Sequence, residues 1–131
     1  MTVNDPAPAH DDPIFHLAVP DDWAAAFTTG DYRMSTRGVT LEQEGFIHCS
    51  FAHQLEPVAN TWYRDLDQLV ILRLDLEALA SEVRVEPSSD GSGELFPHAY
   101  GPIPVAAVAE AMVWDREAGQ DWTLPDERAD R

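Results

Sequence analysis

Three histidines of this chain stand inside apolar or aromatic runs: His16 in "IFHLA", His48 in "GFIHCS" and His98 in "LFPHAYG". A buried neutral imidazole must satisfy one nitrogen as donor and the other as acceptor. Three of them therefore imply either one shared polar site or three separate structural solutions. His10, in a polar N-terminal stretch, and His53, at the start of a helical segment, make no such demand. Imidazoles gathered at one site would hold hydroxyl groups and move protons near neutral pH.

Spacing sorts the neighbours of His48. "EGFIHCS" reads as a strand, in which successive side chains point to opposite faces. Phe46, His48 and Ser50 then share one side, and Ile47 and Cys49 the other. Ser50 is the companion of His48, while Cys49 faces the core as a small hydrophobe. A Cys49–His48 nucleophile is disfavoured by the same geometry. So is zinc, because adjacent strand residues do not share an ion and the chain has no H-x-H, H-x-x-x-H or C-x-x-C pair. Zinc-dependent hydrolysis stands as a third reading, with no metal ligand assigned. G-x-G-x-x-G, G-x-S-x-G and H-E-x-x-H are absent as well.

Charge narrows the partners. The 24 acidic residues face 8 basic ones, all arginine, for a net charge of −16. With no lysine, a Schiff base, a P-loop lysine and a lysine general base are excluded. The acidic balance argues against sequence-independent nucleic-acid binding, which depends on neutralising phosphates. It leaves room for one phosphorylated small molecule held by one or two arginines. Arg33, just before a polar, glycine-bearing loop, "STRGVTLEQ", and Arg37 within it are the candidate anion readers. Arg73, alternating within a strand, is expected to pair with an acid. Glu86 and Glu94 bracket the loop "PSSDGSG" near His98, and either could serve as general base or hydroxyl acceptor.

The elements that must position these residues are short and mixed. At 131 residues, 44% of them apolar, the chain forms one domain able to bury its own core. A single cysteine cannot bridge within the chain, and no segment reads as a signal peptide or membrane span, so a cytoplasmic protein without membrane attachment is expected. Residues 1–13 read as a flexible acidic arm, 14–114 as the body and 115–131 as a charged tail from which Trp122 and Leu124 could dock back. Within the body, "PIFHLAV" predicts a strand, and "PDDWAAAFTTG" a helix stopped by Gly30, with Trp23 and Phe27 as its apolar stripe. "DYRM" predicts a short strand. A helix over 52–63 is expected to be capped by Ser50 and disturbed by Pro57. "QLVILRLDL" is the clearest strand, "LEALA" a turn of helix, "EVRVE" a further strand and "ELFPHAYGPIP" irregular. A half-turn at "VAAV" precedes a closing strand near "EAMVW". Without a regular βαβ alternation the class is α+β, a compact single domain.

In order along the chain, "IFHLA", Trp23, "GDYRMS", "EGFIHCS", "VAN" with "WY", "LVILRLD" and "ELFPHAYGPIP" resemble the bacterial family designated domain of unknown function 952. The resemblance covers residues 14–114, with a longer loop before Glu44. It implies a mixed or antiparallel split sheet with short helices, similar to ADP-ribosyltransferases and RNA 2′-phosphotransferases. The superfamily's first strand carries apolar–aromatic–His, which "IFH" resembles, and implies that His16 holds a nucleotide ribose. A later strand with His followed two residues on by Ser is similar to "HCS" and places His48 and Ser50. For the third element, a Glu or second His, His98, Glu86 and Glu94 compete. Tyr32 and Tyr100 are candidates to stack on a base or nicotinamide. The expectation is a histidine-lined cleft of His16, His48, Ser50 and His98 that binds a nucleotide-type ligand, with NAD as a substrate rather than a resident cofactor. A non-catalytic interaction module that keeps the fold is the alternative.

Overall fold

In the computed structural model, which describes residues 13–88 and 91–124, every strand pairing is antiparallel. The arm 1–12 lies outside the described residues. Strand β1 (Ile14–Ala18) is buried along its length. Helix α1 (Pro20–Thr29) follows, with Pro20 at its start, Asp21 and Asp22 at the positive end of the dipole, and Gly30 closing it at φ 90°. Next come β2 (Asp31–Tyr32), β3 (Met34–Thr36), β4 (Val39–Thr40), α2 (Leu41–Glu44), β5 (Ile47–His48) and β6 (Ser50–Phe51). A 3₁₀ turn at Ala52–Gln54 leads into α3 (Leu55–Trp62), and β7 (Gln68–Leu74), β8 (Val83–Pro87), β9 (Leu95–Ala99), β10 (Ile103–Pro104) and β11 (Val108–Asp115) complete the chain order.

Two sheets organise these pieces. One runs β11-β7-β1-β6, the other β5-β9-β8, with β2-β10 and β3-β4 as two-stranded ribbons beside them. Each face of the four-stranded sheet has its own core. In β7, Val70, Leu72 and Leu74 pack with Ala26 of α1, Ile47, Cys49, Ala99 and Ile103, while Leu69 and Ile71 pack with Leu55, Ala59 and Tyr63 on the α3 side. Period-two alternation in β1 and β7 is what allows one sheet to serve two cores.

Several expectations from sequence change here. "GFIHCS" is not one strand. β5 pairs with β9 (Ile47↔Ala99, His48↔His98), then β6 pairs with β1 (Phe15↔Ser50), so the chain crosses between sheets at Cys49. The Cys49 amide donates to the Pro97 carbonyl at 2.9 Å, its last tie to the second sheet. The alternation survives the crossing: Ile47 and Cys49 are buried in the core, and Phe46, His48 and Ser50 share the opposite side. Ser50 therefore sits in a strand and does not cap a helix. The Pro57 problem is resolved because α3 begins at Leu55 and leaves Pro57 in the first turn, where an N–H has no intrahelical partner.

"STRGVTLEQ" is not a loop but a hairpin, β3-β4, turning at Gly38 (φ 74°). It runs into α2, whose Thr40 and Gln43 form a reciprocal capping box. "ELFPH" is a central strand rather than irregular. Pro97 is tolerated there because its missing N–H would point, like its carbonyl, toward the place where β5 leaves the sheet. Trp23 packs half-buried against the core as expected, but Phe27 is 61% exposed, and Ala26 is the fully buried residue of α1. β11 reaches Asp115, and Trp122 and Leu124 dock back on the α3-side core, in line with the sequence reading. Residues 125–131 lie outside the described part. Arg73 pairs with Glu110 at 3.5 Å, as expected.

Burial pushes the Cys49 thiol up to about 12. Native protein is expected to resist alkylation by iodoacetamide and to label fully once unfolded in denaturant. Labelling of the folded chain at the unfolded rate, read by mass, would contradict this placement.

Candidate functional site

Where the sheets part, a cleft of 470 Å³ opens. β1 contributes His16, the β3-β4 hairpin Ser35 and Arg37, and the crossing segment Phe46, His48 and Ser50. β9 contributes His98, and the end of α3 Trp62 and Tyr63. The three imidazoles thus line one cavity. β5 and β9 set His48 directly opposite His98, and their rings lie 5.8 Å apart.

His16 is the inner wall and is 2% exposed. Its Nδ1–H donates to the His48 carbonyl at 2.6 Å, and its Nε2 accepts from the Tyr32 hydroxyl at 2.9 Å. Both nitrogens are thereby used within the protein, and the tautomer is set by its partners. Burial lowers the His16 pKa to about 4, so the ring is neutral at physiological pH. Burial also holds the Tyr32 phenol well above its ordinary range, which keeps it a donor. Tyr32 stands behind His16, with ring centroids 4.9 Å apart, and does not line the cleft. The His16–His48 bond ties the two sheets together at their point of separation.

His98 is held from behind. Its Nδ1 lies 2.8 Å from Glu86 Oε1, which also accepts from the Tyr100 hydroxyl at 2.5 Å. Phe46 stacks on the imidazole with centroids 3.9 Å apart and planes 13° from parallel. The Arg84 guanidinium lies 4.6 Å from the Tyr100 ring centroid. Tyr100, and secondarily His98, hold the Glu86 carboxyl below the usual glutamate range. Glu86 and Tyr100 stand behind His98 and are not wall residues.

The remaining candidates separate clearly. Glu94 accepts from Gln54 Nε2 at 3.0 Å and belongs to that buried amide's network. Arg33 pairs with Glu42 at 2.7 Å and lies outside the cleft wall. Arg37 does line the cleft, with Nη1 and Nη2 on the two oxygens of Asp65 at 2.5 and 2.9 Å. That pair is exposed, so the interaction is weak.

Sequence reasoning missed Ser35, Glu44, Trp62 and Tyr63. Ser35 is 1% exposed, and its Oγ accepts the His48 amide at 3.2 Å. Trp62 carried a readable signal: with Leu55 and Ala59 it falls on one helical stripe, yet it is 61% exposed at the cleft. Glu44 is placed by Gly45, which ends α2 at φ 97°. Among the described residues no three His, Cys, Asp or Glu side chains gather as metal ligands. The donor chemistry agrees, since both His16 nitrogens are engaged and Cys49 is in the core. The zinc reading finds no support in this geometry.

The class so defined is a small α+β protein of split antiparallel sheets with a histidine-lined cleft at the split. The chain belongs to the family described as protein of unknown function (DUF952), which matches residues 17–111. It is similar to protein CC0527 from Caulobacter crescentus. The crystal structure of that protein has 30% identity and a TM-score of 0.74, covering 89% of this chain and 98% of that one. Its solution NMR structure has 29% identity and a TM-score of 0.73, covering 91% and 98%. No curated protein matches. Among the described residues no helix is long and apolar enough to cross a membrane.

Proposed function

We propose that this protein binds a nucleotide-type small molecule, such as NAD or an ADP-ribosylated metabolite, in the cleft between its sheets. The observation that carries the reading is the meeting of His16, His48 and His98 with Ser50 in one cavity. Its 470 Å³ falls within the usual range for ligand sites, about 300–1,000 Å³. The walls have the chemistry of such a ligand. Ser50 and the His48–His98 pair offer donors and acceptors to ribose hydroxyls. Trp62 and Tyr63 provide flat apolar surface for a base, and Arg37 a guanidinium for phosphate. His16 sets the shape of the ribose end by holding His48 in place rather than by offering a nitrogen of its own. The resemblance to ADP-ribosyltransferases in the first strand and in "HCS" supports the same ligand class. An acidic exterior favours one small anion over a long RNA.

The second reading, an interaction module without chemistry, draws on the Arg37–Asp65 pairing, which fills the cleft's arginine from within. Calorimetric titration against NAD, ADP-ribose and 2′-phosphorylated nucleotides decides between them, with Trp62 emission as a second signal. Heat and a change in emission that Trp62→Phe abolishes are expected for at least one ligand. A folded sample that gives neither, for any of the three, would favour the module.

A further inference from the structure

We propose that His98 is the proton acceptor of the cleft, that Glu86 fixes it as the Nδ1–H tautomer, and that Tyr100 and Phe46 hold this pair in place. Glu86 Oε1 receives two donors, His98 Nδ1 at 2.8 Å and the Tyr100 hydroxyl at 2.5 Å. A carboxylate can only accept here, so the proton of a neutral His98 belongs on Nδ1. Nε2 then carries the lone pair. It makes no hydrogen bond to a described residue, it is not sealed away as a buried unpaired atom, and His98 lines the cleft. Phe46, stacked at 3.9 Å, prevents the ring from tilting out of line.

His16 makes the contrast. It is an imidazole of the same cleft whose two nitrogens are both consumed, so it has no lone pair to give. The substrate group this arrangement suits is a hydroxyl of the bound ligand or a water beside it. Its proton passes to Nε2, and the electron pair of the broken O–H bond stays on oxygen. That oxygen bonds to an electrophilic C1′ or phosphorus of the nucleotide ligand. The leaving group departs with the electron pair of its own bond and takes the proton back from Nε2. The imidazolium formed in between is balanced by the Glu86 carboxylate.

This catalytic role rests on the ligand reading of the cleft, but the tautomer does not. Long-range proton–nitrogen correlation of the imidazoles reads it directly in the wild-type chain at neutral pH. His98 is expected with Nδ1 protonated and Nε2 bare, and Glu86→Ala is expected to lose that signature. An Nε2–H tautomer in the wild type, or a signature unchanged in Glu86→Ala, would overturn the assignment. Should Glu86→Ala fail to fold, the wild-type tautomer still decides. If the tautomer is as stated while no nucleotide binds, the ligand class and the catalytic role fall and the Glu86–His98 assignment stands.

Discussion

Between pH 6.5 and pH 4 the native state is expected to lose about 3 kcal/mol of stability through His16 alone. The ring has an ordinary pKa of 6.5 in the unfolded chain and about 4 when buried. Above 6.5 neither state is protonated there, and the contribution is complete. As the pH falls below 6.5 the unfolded chain takes up a proton that the native fold refuses, so the equilibrium drifts toward unfolding. Below about 4 both states carry the proton and the loss levels off. Carboxylates add their own acid dependence, so the comparison needs a variant. His16→Asn keeps an amide donor for the His48 carbonyl but cannot titrate. It should start less stable at pH 7 and show a shallower decline between 6.5 and 4. Equal slopes for the two proteins in urea unfolding would refute the account.

Trp122→Ala is expected to destabilise the fold by about 3–5 kcal/mol, the range for truncating a fully buried aromatic side chain. The indole is 1% exposed and sits 4.9 Å from the Trp114 ring. Its Nε1 donates to the Tyr63 carbonyl at 3.0 Å, and Asn60 brackets its backbone with bonds of 2.7 and 3.1 Å. These contacts fasten α3, and with it the Trp62–Tyr63 wall of the cleft, from the side opposite the histidines. Phe27→Ala is the matched control: a large aromatic, 61% exposed, whose loss should change stability by less than about 1 kcal/mol. Denaturant midpoints for the two variants give the comparison. A Trp122→Ala protein as stable as Phe27→Ala would mean that residues 115–124 are an appendage after all.

How much of this was legible depended on how far local pattern and tertiary context agreed. β1, α1 and β7 were readable because their apolar spacing, caps and dipole charges all favour one conformation. The two faces of "GFIHCS" were readable too, since alternation needs only extended backbone. Its division between two sheets was not, because side-chain alternation runs through Cys49 without interruption. β9 was hidden by Pro97, whose compatibility depends on where a neighbouring strand ends. The hairpin at Gly38 was hidden by its polar composition, which is normal for a ribbon whose strands are two and three residues long. For the site, residue type found the imidazoles and Ser50 but could not tell which imidazole had nitrogens to spare. That distinction lies in partners far along the chain: Tyr32 and the His48 carbonyl for His16, Glu86 for His98.

One amino acid, Cys49, is all that separates pairing with β9 from pairing with β1. Because strand orientation inverts with every added or removed unit, an insertion or deletion at that point cannot be absorbed locally. It would exchange inward for outward on everything beyond it, bringing Phe51 where Ser50 belongs and exposing what should be dry. At this hinge of two ladders the count of residues is itself under constraint.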